Sequence, residues 1–141
     1  MSPVIRRVSW GEAAETLKTI RFKVFVEEQS VPVDEELDGM DEVSTHFLAT
    51  VRDRPVGVAR LMPSGQIGRM AVLISYRRHG IGALLLHAAV KEALENGFPE
   101  PFLHAQTHAL GFYAQNGFSA FGEIFLDAGI EHRAMRYVGD T

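Results

Sequence analysis

The segment that most constrains this chain is a joint. Tyr76-Arg77-Arg78-His79-Gly80-Ile81-Gly82-Ala83 stands between an apolar run and a stretch of strong helix formers. Ile67 to Ile74 reads as a buried strand, and Ala83 to Leu94 reads as a helix. Two glycines at such a handover let the backbone approach a ligand closely, and the first-turn N–H groups of the following helix have no internal acceptor. Free donors and the positive end of the helix dipole then converge on one spot, an arrangement suited to phosphate. Arg77, Arg78 and His79 add positive charge. The joint reads as a pyrophosphate cradle.

Two familiar phosphate loops are excluded. The chain lacks G-x-x-x-x-G-K-[ST], and Leu85 stands where G-x-G-x-x-G would place its third glycine. What remains, Arg77-x-x-Gly80-x-Gly82, resembles the acetyl-CoA signature [QR]-x-x-G-x-[GA] of the GNAT N-acetyltransferases. A second element follows in the right order: Ala109-x-x-x-Tyr113-x-x-x-Gly117-Phe118 resembles the ending of that family's late helix. The N-terminal half carries Arg21 to Pro32, then Asp38-Gly39 and His46, and the C-terminal part carries Phe125 to His132. Together these resemble the small bacterial ElaA/YjcF-like GNAT proteins. The resemblance implies an α/β (α+β) fold, a mixed, mostly antiparallel sheet of six to seven strands with helices on both faces. The strand Pro101 to Gln106 would splay away from Ile67–Ile74 to open a cofactor cleft.

At 141 residues one core is expected, burying about two-thirds of the unfolded surface. One domain over residues 1–141 is therefore expected. No apolar run approaches the length of a membrane span, and no signal-peptide pattern precedes Ser9. With no cysteine there is no disulfide framework and no thiol nucleophile, which suits a cytoplasmic protein. A net charge of −4 with no compensating basic face argues against nucleic acid. A monomer or homodimer is expected.

Val4 to Val8 reads as a strand, and Ser9-Trp10-Gly11-Glu12 as a capping box opening a helix to about Glu28. Val31 to Asp41 is expected to be loop or a short second helix. His46 to Arg52 and Val56 to Met62 read as a hairpin turning at Asp53-Arg54-Pro55; Gly97 caps the central helix; Phe118 to Leu126 and Glu131 to Val138 pair through Asp127-Ala128-Gly129. From Glu27 to Glu42 eight carboxylates accumulate, with no Lys or Arg between Lys23 and Arg52. This run is either a solvated acidic loop or, because the region forms the acceptor wall in GNAT proteins, a site for a cationic amine. Asp34, Glu36, Asp38 and Gly39 mimic an EF-hand, but Thr45 occupies the place of its bidentate Glu. His104 and His108 straddle a strand end and a helix start, and no third ligand accompanies them, so no metal is assigned.

The resemblance implies direct acyl transfer from acetyl-CoA to an amine, which requires a held donor, a neutral amine, an oxyanion stabiliser and a proton for the thiolate. Arg77 and the backbone N–H groups of Arg78, His79, Gly80, Ile81, Gly82 and Ala83 would hold the pyrophosphate. Met70, Ala71 and Val72 would hold the pantetheine arm, with a bulged N–H near Ala71 or Val72 polarising the thioester. Gln106 replaces an asparagine that touches the cofactor arm in many relatives. Tyr113 is the candidate general acid. Its phenol, at a pKa of about 10, must be well placed to protonate a thiolate leaving at about 8.5. Glu28, His46 and His132 are candidates for acceptor contact, and with His104 they compete for the role of base. A non-catalytic acyl-CoA-binding module is the alternative, and Arg21-x-x-Val24-Phe25 is also similar to acyl-homoserine-lactone synthases.

Overall fold

The computed structural model describes residues 2–139; Met1, Asp140 and Thr141 lie outside them. Strand β1 (Pro3–Val8) leads into helix α1 (Trp10–Arg21) through the expected capping box. The Glu12 N–H donates to Ser9 Oγ at 3.2 Å, and the Ser9 N–H donates to Glu12 Oε1 at 2.8 Å. The expected helix to Glu28 is continuous in path but changes its hydrogen bonding. Phe22–Glu28 is π-helical, which side-chain periodicity does not report. A single turn, α2 (Val33–Glu36), follows within the acidic run.

Strands β2 (Thr45–Val51), β3 (Arg54–Leu61) and β4 (Gln66–Val72) form a meander. The first hairpin is tighter than expected: Arg52 and Asp53 both take positive φ, as in the turn that matches strand twist. Pro55 therefore belongs to β3, opposite Thr50, where a register shift spares a ladder bond. β4 ends at Val72, and Ile74 opens a 3-10 turn instead of extending the strand. Helix α3 (Ile81–Glu95) crosses over to β5 (Phe102–Gln106); α4 (Leu110–Gln115), β6 (Phe118–Asp127) and β7 (Ile130–Tyr137) complete the chain. The seven strands run in the order β1-β2-β3-β4-β5-β7-β6, and every neighbouring pair is antiparallel except β4–β5.

Alternation along the strands feeds two cores. Phe47, Ala49 and Ala59 face α3, with Leu85, Leu86 and Ala89 fully buried against them. Leu48 and Val58 face the other way, onto Leu17, Ile20 and Val24 of the first helical segment. The sheet is thus covered on both faces. Each fully buried leucine contributes about 2 kcal/mol relative to exposure.

The parallel pair β4–β5 is where the sheet fails. Only Gln66↔Phe102 and Ile67↔Leu103 are paired, after which the strands part. The bulge in β4 also sits earlier than Ala71 or Val72. Between Val58↔Ala71 and Arg60↔Gly68, two residues, Arg69 and Met70, oppose Ala59 alone. Arg69 carries the strain of the irregularity with φ of 48°. Among the described residues no helix is long and apolar enough to cross a membrane.

Candidate active site

The parted strands open a cavity of about 380 Å³. Met70, Ala71 and Val72 line its β4 side, Gln106 its β5 side, and Tyr113 projects into it from α4. The Tyr113 hydroxyl lies 3.9 Å from Met70 Sδ, spanning the cleft. Burial pushes its pKa up to about 12, so the phenol keeps its proton. The edge-on rings of Phe112 and Phe118 hold it, with centroids 5.1 and 6.2 Å away.

The glycine joint is built as the spacing suggests. Gly80 takes φ of 80°, a left-handed turn into α3 that a side chain would strain, and no side chain caps that helix. The N–H groups of its first turn therefore have no protein partner from the helix itself. Ile81 is buried and can offer only its backbone. Arg78, at φ of 67°, and His79 make no side-chain hydrogen bond or ion pair among the described residues. An ideal Cβ on Gly82 would meet Phe112 at 3.5 Å, leaving room for a methyl group and nothing charged. Uncapped donors with unpaired cations fit a diphosphate-bearing ligand.

Arg77 departs from expectation. Its Nε donates to the Val72 carbonyl at 2.8 Å, and its guanidinium pairs with Glu28 at 2.9 Å. The side chain is committed to bracing the end of β4. Glu28 is neutralised by the same contact, so neither stands free.

Part of the acidic run is neither a solvated loop nor an open acceptor wall. Glu36 and Asp41 are buried, and with Asp38 they meet three arginines drawn from other elements. Arg21 of α1 bridges Glu36 and Asp41; Arg60 of β3 bridges Asp38 and Asp41, at 2.8 and 3.0 Å; Arg69 of the bulge reaches Glu36 and Asp38, at 2.9 and 3.2 Å. Arg69 also donates to the Glu36 carbonyl at 3.1 Å. The clamp ties the loop to the strained residue of β4.

His46 belongs to this clamp and not to the cavity. It is 1% exposed, its Nε2 donates to the Asp41 carbonyl at 2.8 Å, and its ring lies 5.2 Å from Trp10. The sequence placed it at the start of a strand but could not show which face of the sheet it occupies. It cannot contact an acceptor.

Gln106 lines the cavity, donating to Gln29 Oε1 at 2.8 Å and accepting from His108 Nε2 at 2.7 Å. His132 pairs with Gln106 in register and also lines the cavity. His104 is present too. Burial lowers its pKa first, His132 lowers it further, and Asp127 pulls the other way. Glu35, part of the acidic run read as a possible acceptor site, and Asp127, which sequence reasoning missed as a site residue, both line the cavity and have no ion pair among the described residues. The available signal was the two-residue turn Ala128-Gly129, which carries Asp127 to the cleft beside β5.

The comparisons accord with this geometry. The acetyltransferase (GNAT) domain family matches residues 12–138. The uncharacterised N-acetyltransferase YjcF of Bacillus subtilis is 38% identical over 120 residues, spanning 82% of this chain and 86% of that protein. Among solved structures, an acyl-CoA N-acyltransferase from Pseudomonas aeruginosa superposes with a TM-score of 0.85 at 28% identity, over 97% of this chain and all of that one. Escherichia coli ElaA gives 0.85 at 26% identity, over 95% and 99%. With its interrupted sheet, glycine-joined α3 and tyrosine-bearing cleft, the chain belongs to the GNAT acetyltransferase family and is an acyltransferase.

Proposed function

We propose that the chain, as one catalytic domain, moves an acetyl group from acetyl-CoA directly to a cationic amine. The observation that carries this reading is the protonated Tyr113 hydroxyl in a cavity whose lining reaches Arg77, at the start of the joint that leads to the uncapped α3 amides. The N–H groups of Gly80, Ile81, Gly82 and Ala83, with the side chains of Arg78 and His79, bind the pyrophosphate. The backbone of Met70, Ala71 and Val72 aligns the pantetheine arm along the open edge of β4, with Gln106 opposite. The amide freed by the Arg69–Met70 bulge polarises the thioester carbonyl. The amine attacks, the C–N bond forms as C–S breaks, and Tyr113 gives its proton to the departing thiolate. No covalent enzyme intermediate is needed.

Charge supports a cationic acceptor. Arg69 and Arg77 line the cavity but are neutralised by Glu36, Asp38 and Glu28, whereas Glu35 and Asp127 are not paired. The cavity therefore presents uncompensated negative charge to an incoming substrate.

Thiol release from acetyl-CoA in the presence of an amine panel tests the reading. Tyr113→Phe should lower kcat by about 100-fold or more, the scale of a lost general acid, while leaving the acetyl-CoA Kd unchanged. Cationic amines should outperform anionic ones, with KM rising as salt is added. A Tyr113→Phe enzyme as fast as wild type would reduce the phenol to packing.

A further inference from the structure

Gln106 of β5, His132 of β7 and Phe125 of β6 are Cα partners across three strands, so their side chains share one face. The His132 ring stacks on Phe125, with centroids 5.9 Å apart and planes inclined by 23°. Its Nδ1 lies 2.7 Å from the Ile130 carbonyl oxygen. A carbonyl only accepts, so Nδ1 carries the proton, and in the neutral ring Nε2 is left with a lone pair. Nε2 has no partner among the described residues. Nor is it among the sealed side-chain nitrogens that lack a partner there. His132 is only 9% exposed, yet its Nε2 keeps access to solvent, and the cavity that His132 lines supplies it.

We propose that His132 is the general base of the transfer reaction, taking the proton of the acceptor ammonium through Nε2. This rests on the amine-acetylation reading above. The other candidates are disqualified by their contacts. Glu28 is held by Arg77, and His46 is sealed in the clamp. His104 accepts from Gln66 Nε2 at Nδ1, 3.4 Å away, so that lone pair is already engaged. His108 donates from Nε2 to Gln106 and stands at the exposed rim, where bulk water hydrates it.

The protons balance. His132 takes one proton from the bound ammonium and returns it to solvent through the cavity, leaving a neutral amine. That amine attacks the thioester carbonyl. The C–N bond forms, the C–S bond breaks, Tyr113 protonates the thiolate, and the second N–H proton restores the phenol. The products are the amide, the CoA thiol and one proton released to solvent.

The test is His132→Asn, whose side-chain amide retains a donor for the Ile130 carbonyl but offers no base. Acetyl transfer is measured to propylamine, 2-methoxyethylamine, glycinamide and aminoacetonitrile, a series of falling basicity. His132→Asn should lose about 100-fold or more on propylamine and progressively less along the series, since aminoacetonitrile is already neutral at pH 7. Imidazole added to His132→Ala should restore part of the propylamine rate. His104→Gln and His108→Gln should keep wild-type rates within about threefold, outside the acid–base scale. Misfolding lowers all four rates alike, so a destabilised variant still yields the comparison. A loss equal for every amine, no loss at all, or the graded loss appearing in His108→Gln instead would overturn the assignment. If the wild-type enzyme acetylates none of the four, the amine-acetylation reading itself fails and the base falls with it.

Discussion

Two charge-rich segments flank the cleft, and they use their charge in opposite ways. In the acidic run, Glu36, Asp38 and Asp41 are consumed by Arg21, Arg60 and Arg69, and Arg21, Glu36, Asp41 and Arg60 are buried. At the glycine joint, Arg78 and His79 make no side-chain bond among the described residues, and the amides of α3 stand uncapped. The first segment spends its polarity on shape and the second keeps it for a ligand. Density of charge in a sequence therefore says little about binding. What decides is whether the fold supplies counter-charges.

The clamp side of this contrast breaks most severely at Arg21. Arg21→Ala leaves Glu36 and Asp41 buried without one of their cations, which should cost about 3–5 kcal/mol in denaturant unfolding. Glu28→Gln removes an ion pair of similar length, but Glu28 is 36% exposed and Arg77 37%. That change should cost under about 1 kcal/mol. Equal costs would mean that the acidic run is a surface feature after all.

The joint side breaks without loss of stability. Acetyl-CoA at a hundredfold its Kd should stabilise the wild type by about 2.7 kcal/mol, read as a thermal shift, and adenosine lacking the pyrophosphate should not. Gly82→Asp should abolish the shift by placing a carboxylate among the donors. Gly82→Ala should keep it, because its Cβ would sit in ordinary contact with Phe112. If Gly82→Asp keeps the full shift, the phosphate cradle lies elsewhere.

The joint was legible because its function resides in backbone geometry that residue types report directly: glycine for positive φ, then a run of helix formers. The capping box at Ser9, the late hairpin and the order of elements were legible for the same reason. The clamp was not. Arg21, Arg60 and Arg69 are scattered over α1, β3 and β4, and nothing in a linear charge count brings them to one acidic loop. The bulge was misplaced by one or two residues because Arg69 takes its positive φ without a glycine to mark it. The π-helical end of the first helix shares its side-chain pattern with an α-helix. His46 failed as an acceptor contact because strand periodicity does not say which of two covered faces a residue will occupy.

The smallest effect sharpens the contrast through pH. His46 is buried in the clamp, and burial lowers its pKa below the usual value of about 6.5. Contact with the Asp41 carbonyl and charge pulls upward, and Arg21 and Arg60 push down. The unfolded imidazole takes a proton near pH 6.5 while the folded one resists, so the unfolded state binds more protons below that point. Stability from this residue is therefore complete above about pH 6.5 and is lost as pH falls toward the lowered folded value. Asp38 and Asp41 act later. Burial alone would raise them, but hydrogen bonds and charge from Arg60 and Arg21 hold both below the usual carboxylate range. Their contribution is lost only below about pH 4, the unfolded carboxylate range. Glu36, raised because burial outweighs its arginines, has the opposite sign, and its effect falls above the ordinary carboxylate range. His104 shares the sign of His46 from outside the clamp, so wild-type behaviour alone does not separate the two. His46→Gln does. Urea midpoints at pH 7 and 5.5 should differ less in the variant than in the wild type. If the two proteins lose stability in parallel over that interval, His46 titrates freely and the clamp is open to water.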